Sequence, residues 1–118
     1  MAYEARKRIV HEVNFKIDQL ISDPYGNYII QFCYELFGEE KCGGITERII
    51  DKILQFSLQK YSSAVIFKCI STFWLSKDNL NKLKNALTSD IIQEMYRNKE
   101  SNKILLELCE KHDGSALR

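Results

Sequence analysis

The chain has 118 residues, 45% of them hydrophobic and 28% charged, which is globular rather than disordered composition and enough for one domain with a modest core. Its formal charge of +1 lacks the broad electrostatic footprint of most nucleic-acid binders, so any such role has to rest on local side chains. Strict apolar alternation is absent, and apolar residues recur instead at intervals of three and four, which predicts an all-α chain.

Ile9, Val13, Ile17, Leu20 and Ile21 mark a first amphipathic helix, closed by Ser22, Asp23 and Pro24. A second helix is expected from about Tyr25 to Phe37, ending near Gly38, followed by a loop at Cys42, Gly43 and Gly44. Thr46 is a candidate N-cap for a stretch holding Ile49, Ile50, Ile53, Leu54 and Phe56. That stretch reads equally as one long helix or as two short ones joined by a bend. Ser62 and Ser63 suit the start of a helix through Val65, Ile66, Cys69, Ile70 and Phe73. Asp78 or Asn79 starts the next, with Leu80, Leu83 and Leu87 on one face, and Ser89 with Asp90 caps a short segment from Ile91 to Tyr96. A last helix holds Ile104, Leu105, Leu108 and Cys109, with Asp113 and Gly114 as its stop.

Helices this short are marginal alone, which makes an internal period worth testing. A shift of 36 residues lays Tyr25–Cys33 over Tyr61–Cys69, matching the Tyr, a small residue, two branched apolar residues and the Cys. Upstream, Ile17 meets Ile53 and Leu20 meets Phe56. A further shift of 39 brings Ser101–Leu106 into the same frame, with Ile92 and Met95 upstream. The residues that match are those that would pack. The chain reads as a helical repeat array of two and a half to three units.

The first unit carries polar groups that packing does not require. Asn27 and Gln31 lie one helical turn apart on one face, with Tyr28 beside them. Two amides and an aromatic ring on one patch suit the edge and face of a flat polar molecule such as a nucleobase. A plain helix start, with Tyr28 half-buried and Gln31 solvated, is the other reading of the same residues.

The run Asp23-Pro24-Tyr25-Gly26-Asn27-Tyr28-Ile29-Ile30-Gln31 closely resembles the RNA-reading helix of Pumilio-type (PUF) repeats. Lys60–Cys69 resembles the repeat that follows it, and the resemblance weakens towards Cys109. It implies an α-α superhelix, a right-handed and armadillo-like solenoid of three-helix repeats whose middle helices line an RNA-binding face. The implied divisions are 1–16 as a helix of a preceding repeat or cap, 17–52 and 53–89 as repeats, and 90–118 as a divergent terminal repeat. The array is shorter than the family's usual one, which implies a C-terminal piece of a longer domain.

By the same resemblance, Asn27 and Gln31 would bond the Watson–Crick edge of uracil while Tyr28 stacks on bases. The later units depart from that pattern. Ser63, Ala64 and Phe67 stand where close family relatives carry Ser, Asn and Glu and read guanine, and Phe67 accepts no hydrogen bond from guanine. The third unit offers Asn102, Lys103 and Leu106, so the amide remains without its Gln partner. The implied partner is single-stranded RNA, a U-containing element of messenger RNA untranslated regions, bound in the cytoplasm for translational regulation. Protein co-regulators and self-association through an uncovered repeat face are further expectations.

Nothing in the sequence announces catalysis, a cofactor or a metal. The cysteines at 33, 42, 69 and 109 form no Cys-x-x-Cys pair, and His11 and His112 lie at opposite ends. Free buried thiols in a reducing, intracellular setting are expected, without a signal peptide or membrane span. Lys77, Lys82 and Lys84 read as a solvated basic face. A helical scaffold for protein partners that has lost its RNA code is the alternative, allowed by Ala64, Phe67 and Leu106.

Overall fold

The computed structural model describes residues 3–74 and 76–111. Those residues form nine α-helices and a π-helical turn, with no strand among them. The helices run α1 (Tyr3–Phe15), α2 (Ile17–Ile21), α3 (Gly26–Lys41), α4 (Gly43–Asp51), α5 (Ile53–Ser57), α6 (Lys60–Lys68), α7 (Lys77–Ala86), α8 (Ser89–Arg97) and α9 (Lys99–Lys111). The π-helical turn, Cys69–Phe73, continues α6.

The helices fall into three rows. An outer row packs α1 on α4 and α4 on α7, and an inner row packs α3 on α6 and α6 on α9. The short helices α2, α5 and α8 lean on the inner helix that follows each of them. Between the rows runs one continuous core from Val13 to Leu108, with Phe56 and Trp74 its largest fully buried side chains. The short helices α2, α5 and α8 bury apolar residues on their neighbours, which gives five-residue helices a stability they lack alone.

The start of each inner helix repeats one construction. Ser62 Oγ donates to the carbonyl of Phe56 at 2.5 Å, and Ser101 Oγ donates to the carbonyl of Met95 at 2.7 Å. Gly26 holds the same register in the first unit, where an added Cβ would stand 2.7 Å from the carbonyl oxygen of Leu20 and 2.9 Å from its Cα. In all three copies the carbonyl six residues upstream lies against the small residue. The turn is capped alike at its two ends of the array. Asp23 Oδ2 accepts from the N–H groups of Tyr25 (2.8 Å) and Gly26 (2.7 Å), and Asn98 Oδ1 accepts from those of Glu100 (2.8 Å) and Ser101 (3.4 Å). Gln59, in the middle copy, makes no such cap; its Oε1 instead accepts from Ser62 Oγ at 3.2 Å and from Ser22 Oγ.

Several element boundaries differ from those the sequence suggests. The first helix breaks at Lys16, so Ile9 and Val13 lie on α1 while Ile17 to Ile21 form α2. A second break at Lys52 (φ −117°, ψ 34°) resolves the 46–60 stretch into two helices. Of the expected loop at Cys42–Gly44 only Cys42 is a turn, and Gly43 and Gly44 start α4. A Cβ on Gly44 would meet Asn14 Nδ2 at 2.9 Å, so the Asn14 side chain would have to shift to admit one. Thr46 caps nothing: it lies buried inside α4, donating to the carbonyl of Cys42 (3.2 Å) and sharing a hydrogen bond of 2.6 Å with Tyr34 Oη. Ser76 rather than Asp78 or Asn79 caps α7, and Thr88 rather than Ser89 caps α8, each accepting from an N–H three residues on. The helix of Ser62 and Ser63 begins earlier, at Lys60. Gly38 (φ 84°, ψ 161°) interrupts α3 where the sequence ends it. The stop at Asp113 and Gly114, with His112, lies outside the described residues.

Replacing Gly26 by Ala is expected to cost about 1–3 kcal/mol, because the backbone of Leu20 has to give way. Ser62→Ala is expected to cost about 1 kcal/mol through its lost bond to Phe56. Urea unfolding followed by the emission of buried Trp74 measures both. The two N–H bonds from Gly26 and Tyr25 hold the Asp23 carboxyl below the usual carboxylate range. That contribution is complete above the unfolded-state value near pH 4 and is lost as pH falls through the lower folded value. The stability gap between wild type and Asp23→Ala therefore narrows on acidification, which the same unfolding curves at a series of pH values check.

Candidate nucleic-acid interface

The inner helices present three register positions in turn. Asn27, Ser63 and Asn102 occupy the first, Tyr28, Ala64 and Lys103 the second, and Gln31, Phe67 and Leu106 the third. The first position is tied inward. Asn27 is only 3% exposed, and its Nδ2 donates to the carbonyls of Asp23 (2.8 Å) and Pro24 (2.9 Å). Ser63 Oγ donates to the carbonyl of Lys60 at 2.9 Å, and Asn102 Nδ2 to that of Tyr96 at 2.8 Å. Asn27 ties α3 to the turn before it and Asn102 ties α9 to the end of α8, while Ser63 bonds within the first turn of α6, roles that the spacing alone did not announce.

The outward groups stand at the other two positions. Tyr28 is 64% exposed, so its ring face is open to solvent. Gln31 is half-buried, and its Nε2 donates to Asn27 Oδ1 at 3.2 Å. The chain of bonds from Asp23 and Pro24 through Asn27 thus orients the Gln31 amide. Its second N–H and its Oε1 make no hydrogen bond among the described residues. One amide then offers a donor and an acceptor side by side.

The second and third units converge on a cavity of about 260 Å³ lined by Lys60, Ser63, Ala64, Phe67, Glu100 and Lys103. Ala64 leaves it unroofed, and the partly exposed ring of Phe67 forms an apolar wall. Glu100 Oε2 lies 3.9 Å from Lys103 Nζ, and Lys60 Nζ lies 5.5 Å from the Tyr61 ring centroid. Sequence reasoning missed Lys60 and Glu100. The repeat frame carried the signal, since Glu100 takes the register of Tyr25 and Tyr61, the residue just before the small helix-start residue. Leu106, 59% exposed, is not among the residues lining this cavity.

Away from this face, three of the four thiols are core, and Cys109, expected buried with them, is exposed. Burial raises those of Cys33, Cys42 and Cys69, with Cys42 pushed up to about 12 by burial and then by nearby Cys33. They stay protonated near neutral pH, which suits packing and not nucleophilic attack. Burial likewise raises the phenol of Tyr34, which stacks on Phe73 at 5.3 Å between centroids. Among the described residues no group of three His, Cys, Asp or Glu could hold a metal ion, and no helix is long and apolar enough to cross a membrane. Lys82 pairs with Glu47 at 3.3 Å on the outer row.

Three rows of short helices in a repeating register define a helical-repeat solenoid. No protein-family model matches the chain. It is 30% identical over 101 residues to Pumilio homolog 11 of Arabidopsis thaliana, covering 83% of this chain and 18% of that protein. To Pumilio homology domain family member 4 of Saccharomyces cerevisiae it is 26% identical over 93 residues, covering 75% of this chain and 10% of that protein. A crystal structure of PUF-8 in complex with PBE-RNA superposes with a TM-score of 0.81 at 22% identity, over 93% of this chain and 33% of that one. The chain is a run of Pumilio-type (PUF) repeats. It spans less than a fifth of the length of the curated relatives it matches.

Asn27→Ala is expected to destabilise the fold by about 1–2 kcal/mol, because the carbonyls of Asp23 and Pro24 lose their side-chain donor, Asp23 keeping only the backbone N–H of residue 27. Gln31→Ala, with one side bonded and one side open, is expected to stay within about 0.5 kcal/mol of wild type. Thermal unfolding of the two variants side by side checks the difference.

Proposed function

We propose that the chain binds single-stranded RNA along its inner helices and is a binding module rather than an enzyme. The observation that carries this reading is the exposed Tyr28 ring beside a Gln31 amide held in place from behind. Uracil presents an N–H between two carbonyls. Gln31 Oε1 accepts from that N–H while its open Nε2–H donates to a neighbouring carbonyl. Asn27 contributes by aiming Gln31, and a direct bond from Asn27 Oδ1 to the base requires its release from Gln31 Nε2. Tyr28 stacks on the base and sets affinity more than identity.

The resemblance and the Pumilio relatives support a U-containing messenger RNA element as the ligand and translational regulation in the cytoplasm as the setting. Affinity in such arrays grows by linking weak contacts, and one complete aromatic–amide pair predicts a micromolar or weaker Kd for this chain alone. Fluorescence polarisation with a short uridine oligomer tests it. Tyr28→Ala is expected to lose about 1–3 kcal/mol, or roughly 5- to 150-fold. Gln31→Ala is expected to erase the preference for uridine over cytidine. Binding that neither variant weakens overturns the reading.

A second reading rests on a different face of α3. Tyr25, Ile29, Phe32 and Leu36 are all more than 45% exposed there, an apolar stripe at helical spacing. The equivalents of Ile29 in the next two units, Val65 and Ile104, are buried. The stripe therefore suits a protein surface, either another repeat, a co-regulator or a second copy of this chain. An elution profile that stays monomeric as concentration rises counts against self-association, and RNA binding equal to that of Tyr28→Ala favours this scaffold over the RNA reading.

A further inference from the structure

We infer that the cavity between α6 and α9 selects guanine, with Glu100 of the third unit supplying the hydrogen-bond acceptor that the second unit lacks. This rests on the RNA reading above and adds a base, a place and a residue to it. Phe67 brings no acceptor to its own register, so the second unit taken alone offers only stacking or apolar contact. The cavity is not built by the second unit alone. Glu100 and Lys103 from α9 line it together with Lys60, Ser63, Ala64 and Phe67.

The Glu100 backbone is held in place. Its N–H donates to Asn98 Oδ1 at 2.8 Å in the first turn of α9, which sets where the side chain leaves the backbone. Its carboxylate faces Lys103 Nζ at 3.9 Å, beyond hydrogen-bond distance, so the oxygens keep lone pairs for another donor. An ionised carboxylate only accepts. Of the four bases, guanine alone sets two N–H donors side by side on its Watson–Crick edge, where a carboxylate binds both at once with charge assistance. Uracil turns carbonyl oxygens towards the same group on both sides of its N–H. Adenine and cytosine each pair one amino group with a ring-nitrogen acceptor. All three are repelled at the second contact.

The remaining lining suits this occupant. Phe67 gives a wall for the ring, Ala64 leaves the entry open, and Ser63, whose Oγ donates to the carbonyl of Lys60, closes the lining. Lys60 and Lys103 flank the single carboxylate, so a phosphate backbone approaches a net positive rim.

The test uses the whole chain in fluorescence polarisation, with a short uridine oligomer and versions carrying one guanosine, adenosine or cytidine. Wild type is expected to bind the guanosine oligomer about tenfold more tightly than the other three, the discrimination one bidentate contact gives. Glu100→Gln is expected to bring all four within about twofold, with an unchanged melting temperature showing intact folding. Two outcomes overturn the inference and leave the RNA reading standing: all-uridine binding that depends on Tyr28 with no guanosine preference in wild type, or a preference that survives Glu100→Gln. Binding of none of the oligomers overturns the reading and the inference together.

Discussion

The structure depends on a close approach repeated at the start of each inner helix. A carbonyl six residues upstream lies against a residue that has to be small: Gly26 under Leu20, Ser62 under Phe56 and Ser101 under Met95. The contact folds each short helix back on the longer one after it and so fixes the angle between them. Bulk at that point would open the angle, and the stacking of α3 on α6 and α6 on α9 would go with it. In two units a serine hydroxyl turns the contact into a hydrogen bond, while in the first the absence of a Cβ is enough. Different chemistry reaches one geometry because the geometry is what stacking selects.

In the proposed RNA reading, structure and recognition share these few residues. Asp23 or Asn98 caps the turn, the small residue closes it, and Asn27 or Asn102 bonds backwards across it, while Ser63 bonds within the first turn of α6. The next positions along the helix, Tyr28 and Gln31 in the first unit, project from that frame. The Gln31 amide is therefore aimed by the same bonds that start the helix. Preorganisation of this kind lowers the entropy lost when a ligand binds. It also explains how the second and third units change their outward residues while keeping the inward ones.

The repeat, the all-helical class and the core were legible because their signals are local and periodic. Ile17 against Ile53 and Cys33 against Cys69 could be matched by counting, and all four are buried. What was not legible depends on neighbours in space. Gly43 and Gly44 carry a loop's composition, yet both lie in the first turn of α4, where the Asn14 side chain of α1 rests against Gly44. Thr46 has a cap's chemistry, but Tyr34 claims its hydroxyl inside the core. Asn27 was legible as a polar residue in a telling place, while its inward bonds to Asp23 and Pro24 depend on the shape of a turn. Glu100 reads as one more surface carboxylate until α9 is laid beside α6.

The central claim is that recognition runs along the first turns of α3, α6 and α9. Amide NMR spectra recorded while a uridine-rich oligomer carrying one guanosine is added test it most directly. The account predicts that shifts concentrate at Tyr28, Gln31, Ser63 to Phe67, and Glu100 to Lys103, with α1, α4 and α7 left near their free positions. Shifts confined to the outer helices, or none at saturating oligomer, would contradict it.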